Sequence, residues 1–184
     1  MANIDWPSGL RPVSNGKGGT APRMRPYPKL AGIIYEGDIL YAGEAGLVVY
    51  NGTTDAQADN LVGVAAHYVG TAADTGDAVF VYDDPDQEYI CQCDGADVST
   101  VALANVVLLR HCPVVYAAGN TTTLQSKVEI DSSGITSVWT LDTPLLVVRK
   151  WLADDNAFGA NYKLVVKIDN KNHIITNDSV TRIT

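Results

Sequence analysis

Proline is concentrated at the start of this chain, and that placement limits what the first 29 residues can fold into. Five of the eight prolines in the 184-residue sequence lie in residues 1–29. Each proline fixes its own φ, removes a backbone donor and pushes the preceding residue toward an extended conformation. Neither a helix nor a central strand fits this pattern. The sequence therefore predicts an extended arm over 1–29, with a flexible glycine-rich stretch at 16–19.

The arm and the rest of the chain carry opposite charges. Residues 1–29 hold five basic residues against one acid, a formal charge of +4, whereas residues 30–184 hold eight basic and twenty acidic residues. The whole chain has a formal net charge of −8. Because an acidic body repels a phosphate backbone and the charge of the arm is modest, we expect no nucleic-acid partner. Basic side chains between prolines suit an acidic protein surface.

The arm also contains large apolar side chains with no local core to enter, which favours contact with another protein. An extended segment can add to the exposed sheet edge of a neighbour, and prolines reduce the entropy lost when it is ordered. The candidate partner-binding residues are Trp6, Leu10, Arg11, Arg23, Arg25, Tyr27 and Lys29.

From residue 30 onward, short apolar runs alternate with turn residues, which is typical of antiparallel strands. Strands are predicted over 33–35, 39–41, 47–50, 61–69, 78–82, 88–93, 127–131, 145–148 and 162–168. Helical spacing is confined to 98–110, with Ser99 or Thr100 as a candidate N-cap. The sequence therefore predicts an all-β protein. We expect a single barrel-like or sandwich domain of short antiparallel strands over 30–184, with at most one short helix, preceded by the arm.

The sequence lacks targeting and cofactor signals. No apolar stretch approaches the roughly 20 residues that span a bilayer, and the first ten residues lack the apolar region of a signal peptide. We therefore expect no membrane partner, and assembly in a cytoplasm. Cys91, Cys93 and Cys112 are interpreted as small buried apolar side chains. His111 beside Cys112 does not complete a zinc set, so we expect no metal and no other cofactor.

The chemistry-bearing residues form no catalytic motif. His67, His111 and His173 lie in separate runs, without a nucleophile or metalloprotease motif around them. The acidic group at 83–86 lacks the spacing of an EF-hand loop and is interpreted as an acidic turn, with ion binding left open. The sequence therefore predicts no catalytic residues and no enzyme activity. A small all-β hydrolase is the enzymatic alternative.

A set of short motifs spans most of the chain. One is an apolar-Tyr-x-Gly-Asp step at 34–38, and another is a strand with its acidic turn at 79–86. The further segments are 1–5, 9–13, 63–65, 118–123, 131–133, 155–161 and 163–166. In this order they resemble the small capsid decoration, or cement, proteins of tailed bacteriophages.

That resemblance implies a non-enzymatic protein of the virion, on the outer surface of a phage capsid. Members of the family bridge neighbouring copies of the major capsid protein and are commonly trimers at local three-fold positions. The implied partners are therefore the major capsid protein and further copies of this chain, as a homotrimer or a dimer. The alternative is a head-fibre or carbohydrate- or receptor-binding β-domain of a virion. For that function Trp139 and Trp151 are candidate aromatic platforms, and both are also candidates for core packing.

Overall fold

The structure of the chain is dominated by short β-strands. The computed structural model describes residues 3–15, 21–30, 32–52, 55–70, 77–95 and 97–176, so the predicted flexible stretch at 16–19 lies outside the described residues. The strands are β1 Arg11–Asn15, β2 Arg25–Pro28, β3 Ile39–Gly43, β4 Gly46–Val49, β5 Leu61–Ala65, β6 Ala78–Tyr82, β7 Gln87–Gln92, β8 His111–Cys112, β9 Val114–Val115, β10 Glu129–Ile130, β11 Leu145–Lys150 and β12 Lys163–Ile168. The helical elements are the single turn α1 Asp55–Ala58 and the helix α2 Val101–Val106. The all-β prediction is confirmed.

Most strands belong to two antiparallel five-stranded sheets. Sheet I has the order β1-β7-β12-β11-β8, and sheet II has the order β2-β6-β5-β3-β4. Strands β9 and β10 form a separate antiparallel pair. Among the described residues, no helix has both the length and the apolar character needed to cross a membrane.

One hydrophobic core joins the two sheets. Sheet II contributes Ile39 and Leu61, and sheet I contributes Tyr89, Val147 and Leu164 to the same cluster of buried side chains. Within β7, Tyr89 and Cys91 point into this core while Glu88 and Ile90 lie outside it, as the alternation of the sequence predicts. The outer face of sheet I is therefore available for polar side chains.

The centre of sheet II is buried on both faces. Its second face packs in a separate apolar cluster that includes Leu40, Val62 and Val81. Every residue of β5 is buried, which explains its uninterrupted apolar sequence. A side chain at Gly63 would place its Cβ 2.2 Å from the carbonyl oxygen of Tyr82 on β6, so close packing of these two strands requires glycine here.

Helix α2 is short and has a defined start. The hydroxyl of Thr100 accepts the backbone amide of Leu103 at 3.2 Å, which is the N-cap interaction expected of threonine. The sequence left Ser99 and Thr100 open as the cap, and the structure selects Thr100. Only one residue within α2, Ala104, is buried.

The N-terminal arm is extended, as predicted, and it supplies the outermost strand on one side of each sheet. Strand β1 pairs with β7 in sheet I, and β2 pairs with β6 in sheet II. Both strands contain proline, which is tolerated at a sheet edge because the missing N–H can face away from the ladder. The described parts of the arm that form β1 and β2 therefore lie along the edges of the two sheets.

Candidate functional site

Asn3, the first residue that the structure describes, is held against the loop that precedes β12. The side-chain amide of Asn3 donates to the carbonyl oxygens of Ala157 and Ala160 at 2.7 and 3.0 Å. Its oxygen accepts the backbone amide of Ala157 at 2.8 Å. Asn3 thus forms hydrogen bonds with backbone groups of a loop that is distant in the sequence. These bonds anchor the segment that leads to Trp6.

Gln92 fixes the next part of the N-terminal segment. Its side-chain oxygen accepts the backbone amide of Trp6 at 3.3 Å. Its amide nitrogen donates to the carboxylates of Asp5 and Glu129 at 3.2 and 3.0 Å. Burial, with smaller effects of the Asp5 and Asp94 carboxylates, raises the pKa of Glu129, and the hydrogen bond from Gln92 opposes this rise. Because the Gln92 oxygen faces an N–H donor and its nitrogen faces two carboxylates, these partners define the orientation of the amide.

A groove of about 200 Å³ opens beside this network on the outer face of sheet I. We call it the Trp6 groove. The residues that define it are Trp6, Arg11, Ile90, Gln92, Trp151 and Lys163. Trp6 is 61% exposed, and Trp151 is partly buried. Two indole rings, one aliphatic side chain and two cations thus surround a single depression.

Cross-strand pairing positions the floor of the groove. Arg11 on β1 lies opposite Ile90 on β7, and Gln92 at the end of β7 lies opposite Lys163 on β12. Directly opposed residues of an antiparallel ladder project on the same face, so these four side chains share the outer face of sheet I. Residues from three parts of the sequence meet here only because the three strands are neighbours.

Each cation of the groove has an acidic neighbour at a salt-bridge distance. Arg11 lies 3.4 Å from Glu36, and Lys163 lies 3.4 Å from Asp155. These distances exceed the roughly 2.8 Å of a strong charge-assisted hydrogen bond. The side chain of Asp155 is 72% exposed, and such pairs contribute little to stability. Both cations can therefore reorient toward a ligand at small cost.

Two of the predicted partner-binding residues are buried. Leu10 is 1% exposed and belongs to the core between the sheets, so the expectation that it has no core to enter is wrong. Lys29 is also 1% exposed, and its ammonium group donates to the carbonyl oxygen of Gly70 at 3.3 Å. Neither side chain is on the surface of this chain, because Leu10 directly precedes β1 and Lys29 directly follows β2, where pairing of the strands brings the backbone against the body.

Arg23 and Arg25 are exposed, and Tyr27 anchors the strand that carries Arg25. The hydroxyl of Tyr27 donates to the carboxylate of Asp83 at 2.5 Å, and Arg25 lies 3.4 Å from the same carboxylate. Burial and then the Asp83 carboxylate raise the pKa of Tyr27 to about 12. Met24, at 51% exposure, and Phe80, at 44%, lie on or beside the same sheet edge, and we call this edge with the two arginines the β2 surface. Arg25 lies opposite Val81 and Phe80 lies opposite Pro26, so Arg25 and Phe80 project on opposite faces of this edge.

The acidic group at 83–86 makes internal contacts. Asp83 is 2% exposed, and its carboxylate contacts Tyr27 and Arg25. The side-chain oxygen of Asp84 accepts a hydrogen bond from the backbone amide of Asp86 at 2.9 Å. No group of three or more histidine, cysteine or acidic side chains suited to a metal ion occurs among the described residues.

The remaining candidate aromatic platform, Trp139, has local partners. Its ring nitrogen donates to the side chain of Asn172 at 3.0 Å, and the ammonium group of Lys171 lies 4.5 Å from the ring centre. Trp151 is the tryptophan of the predicted pair that lines the groove. Sequence reasoning did not identify Gln92, Ile90 or Lys163 as site residues, because nothing local marks a cross-strand neighbour.

Comparison with known proteins assigns the chain to no family, so its class rests on the fold. No protein-family model matches the chain, and no curated protein matches it significantly. The structure defines the chain as an all-β protein of antiparallel sheets with an exposed aromatic and basic groove.

Proposed function

We propose that this chain is a non-enzymatic capsid decoration protein that binds the outer surface of a phage head. In this proposal it bridges neighbouring subunits of the major capsid protein, stabilises the shell and acts as a homo-oligomer, with a trimer as the expected state. It joins the virion after assembly in the host cytoplasm. The motif resemblance supports the proposal, and the β2 surface is the observation that carries it.

The β2 surface combines exposed apolar side chains on one face of a sheet edge with the positive charge of Arg25 on the other face. Phe80 lies opposite Pro26 across the β2–β6 ladder. The centres of the Phe80 and His67 rings are 5.6 Å apart. Met24 and Phe80 are large apolar side chains that remain half exposed. Exposed apolar groups beside arginines are typical of protein interfaces, where aromatic, methionine and arginine residues are enriched.

Proline determines how this surface can be used. Pro26 and Pro28 lack a backbone N–H, so β2 cannot donate a regular row of hydrogen bonds to a further strand. The interaction we propose is therefore a side-chain contact with an acidic and apolar patch of the capsid protein, and not strand addition. An oligomer presents several copies of this surface, which increases its avidity by about 10²-fold or more.

Binding to capsid shells tests this function. Shells assembled from the major capsid protein encoded with this chain are mixed with the purified protein, and bound copies are counted after density-gradient separation. We expect Met24→Ser combined with Phe80→Ser to reduce the affinity about tenfold or more, since central apolar anchors dominate interface energies. Leu152→Ser is the matched control, because Leu152 is 85% exposed and lies outside the β2 surface.

Two results would contradict the proposal. One is the absence of binding of the wild-type chain to expanded shells. The other is equal occupancy of the wild-type chain and the double variant, with both proteins folded as judged by their thermal unfolding.

A further inference from the structure

The Trp6 groove has features that the proposed capsid contact does not use. It lies on sheet I, whereas the β2 surface lies at the edge of sheet II. Trp6 keeps 61% of its surface exposed, and a hydrogen bond from its backbone amide to Gln92 holds its backbone against sheet I. A large aromatic side chain in an exposed position is suited to binding a ligand through its apolar face.

The two cations of the groove favour a ligand with an anionic group that can compete with their acidic neighbours Glu36 and Asp155. Arg11 and Lys163 both line it, on a chain whose formal net charge is −8. Their acidic neighbours are 3.4 Å away in each case, so neither cation is locked in a short ion pair. A ligand carboxylate placed between them gains two charge-assisted hydrogen bonds.

The size and the edge of the groove argue against an extended peptide. Its volume of about 200 Å³ is below the roughly 300–1,000 Å³ that is usual for sites that take drug-sized molecules. The neighbouring edge strand β1 contains Pro12 and has an irregular register between Pro12 and Ser14. Strand addition by a peptide needs a regular row of donors, which this edge does not offer. A compact ring-shaped ligand fits better.

We propose that the Trp6 groove binds a single acidic sugar residue, a uronic or sialic acid of a polysaccharide or glycan. The indole rings of Trp6 and Trp151 contact the apolar C–H face of the sugar ring. Arg11 and Lys163 bind its carboxylate. This function goes beyond capsid decoration and does not depend on it, since it uses a different surface of the chain.

Calorimetric titration with defined sugars tests the site. The probes are N-acetylneuraminic acid and trigalacturonic acid, with galactose and galactotriose as neutral counterparts and triglutamate as an acidic peptide. We expect at least one acidic sugar to bind at millimolar concentration or better and at least tenfold more tightly than its neutral counterpart and than triglutamate. Equal affinity for neutral and acidic sugars, tighter binding of triglutamate, or no binding of either acidic sugar would overturn the proposal.

Substitutions of the residues that line the groove test whether the sugar binds there. Trp6→Ala is expected to weaken acidic-sugar binding about tenfold or more, and Arg11→Gln to remove most of the preference for the acidic sugar. Trp139→Phe is the matched control, because Trp139 contacts Asn172 and Lys171 outside the groove. Unchanged affinity in a folded Trp6→Ala protein would refute the site.

The same variants separate this proposal from the capsid proposal. Trp6→Ala is expected to leave occupancy on capsid shells unchanged, and the Met24 and Phe80 variant is expected to leave sugar affinity unchanged. Failure of one proposal is therefore visible without failure of the other.

Discussion

The backbone amide of Leu10 donates to the carbonyl oxygen of Gly37 at 3.0 Å, and this bond joins the N-terminal segment to the chain that leads into β3. The two backbones approach closely because Gly9 and Gly37 have no side chains. A Cβ on Gly37 would lie 2.7 Å from the carbonyl oxygen of Ser8. The arm is thus built into the core at a position that only glycine permits.

Replacement of Leu10 by alanine is expected to lower the free energy of unfolding by about 3 kcal/mol, because it leaves a cavity in the core between the sheets. Urea denaturation measures the change. Ile4→Ala is the control, since Ile4 is 76% exposed and its replacement should cost less than about 0.5 kcal/mol. Equal effects of the two substitutions would show that Leu10 is not buried in solution.

Deletion of residues 1–29 is expected to abolish cooperative unfolding. The deletion removes an edge strand from each sheet together with the buried Leu10 and Lys29. Circular dichroism during thermal unfolding of the truncated chain measures this. A truncated chain that unfolds cooperatively near the wild-type temperature would show that the arm and the body are independent.

Replacement of Gly9 by alanine is expected to destabilise the protein on the order of 2 kcal/mol or more. Gly9 has φ +67°, and an added Cβ would lie 2.5 Å from the Cβ of Ser126 and 2.6 Å from the carbonyl oxygen of Gly37. Gly32→Ala is the matched control, because Gly32 has φ +82° with nothing within 4 Å. It should cost only the backbone strain of about 1 kcal/mol. Equal losses at both positions would contradict the close contact.

The contribution of His173 to the stability of the protein is expected to fall as the pH drops from about 6.5 to about 4. Burial lowers the pKa of His173 from 6.5 to about 4, although the carboxylates of Asp83, Asp84 and Asp86 oppose this shift. In that window the unfolded chain binds a proton at His173 that the folded chain does not bind. The free energy of unfolding therefore decreases by up to about 3 kcal/mol across it, and the loss is absent above pH 7.

His173→Gln isolates this contribution. The ring nitrogen Nδ1 of His173 accepts the amide of Ile175 at 3.2 Å, and the side-chain oxygen of glutamine can take the same role without titrating. Urea midpoints at pH 4, 5, 6 and 7 are expected to vary less for the variant than for the wild-type chain. Parallel pH profiles of the two proteins would contradict the assignment to His173.

The three thiols are expected to be unreactive in the folded protein. Cys91, Cys93 and Cys112 are free and buried, as the sequence analysis predicted. Burial raises the pKa of Cys91 to about 12 and also raises the pKa of Cys93 and of Cys112. Because the thiolate is the reactive form, labelling with a thiol reagent at pH 8 should require unfolding in urea. An exposed cysteine from Ser99→Cys is the control, and it should react at once.

Regular alternation made much of the body predictable. The strands at 88–93 and 162–168 were expected from period-two patterns, and the structure places β7 and β12 there. The helical spacing at 98–110 contains α2, which is shorter than that window. Such patterns depend on local sequence alone, so they can be recognised in a single sequence.

The strands of the arm were not predicted, because proline argues against a strand wherever its position in a sheet is unknown. Strand β2 contains Pro26 and Pro28, and β1 contains Pro12. Each becomes acceptable only at an edge, where the missing donor faces away from the ladder. Edge or centre is a property of the assembled sheet and is not encoded in the local pattern.

The sequence by itself determined the all-β class, the inward and outward faces of the long strands, and the extended conformation of the first residues. The restriction that proline places on φ and the two-residue repeat of strands both act over a few residues. They can therefore be recognised in the sequence without knowledge of the fold. Only the tertiary structure decided that the arm supplies an edge strand to each sheet. It also decided that Trp6, Arg11, Trp151 and Lys163 surround one groove. Those proximities arise from strand order, which brings together residues more than a hundred positions apart.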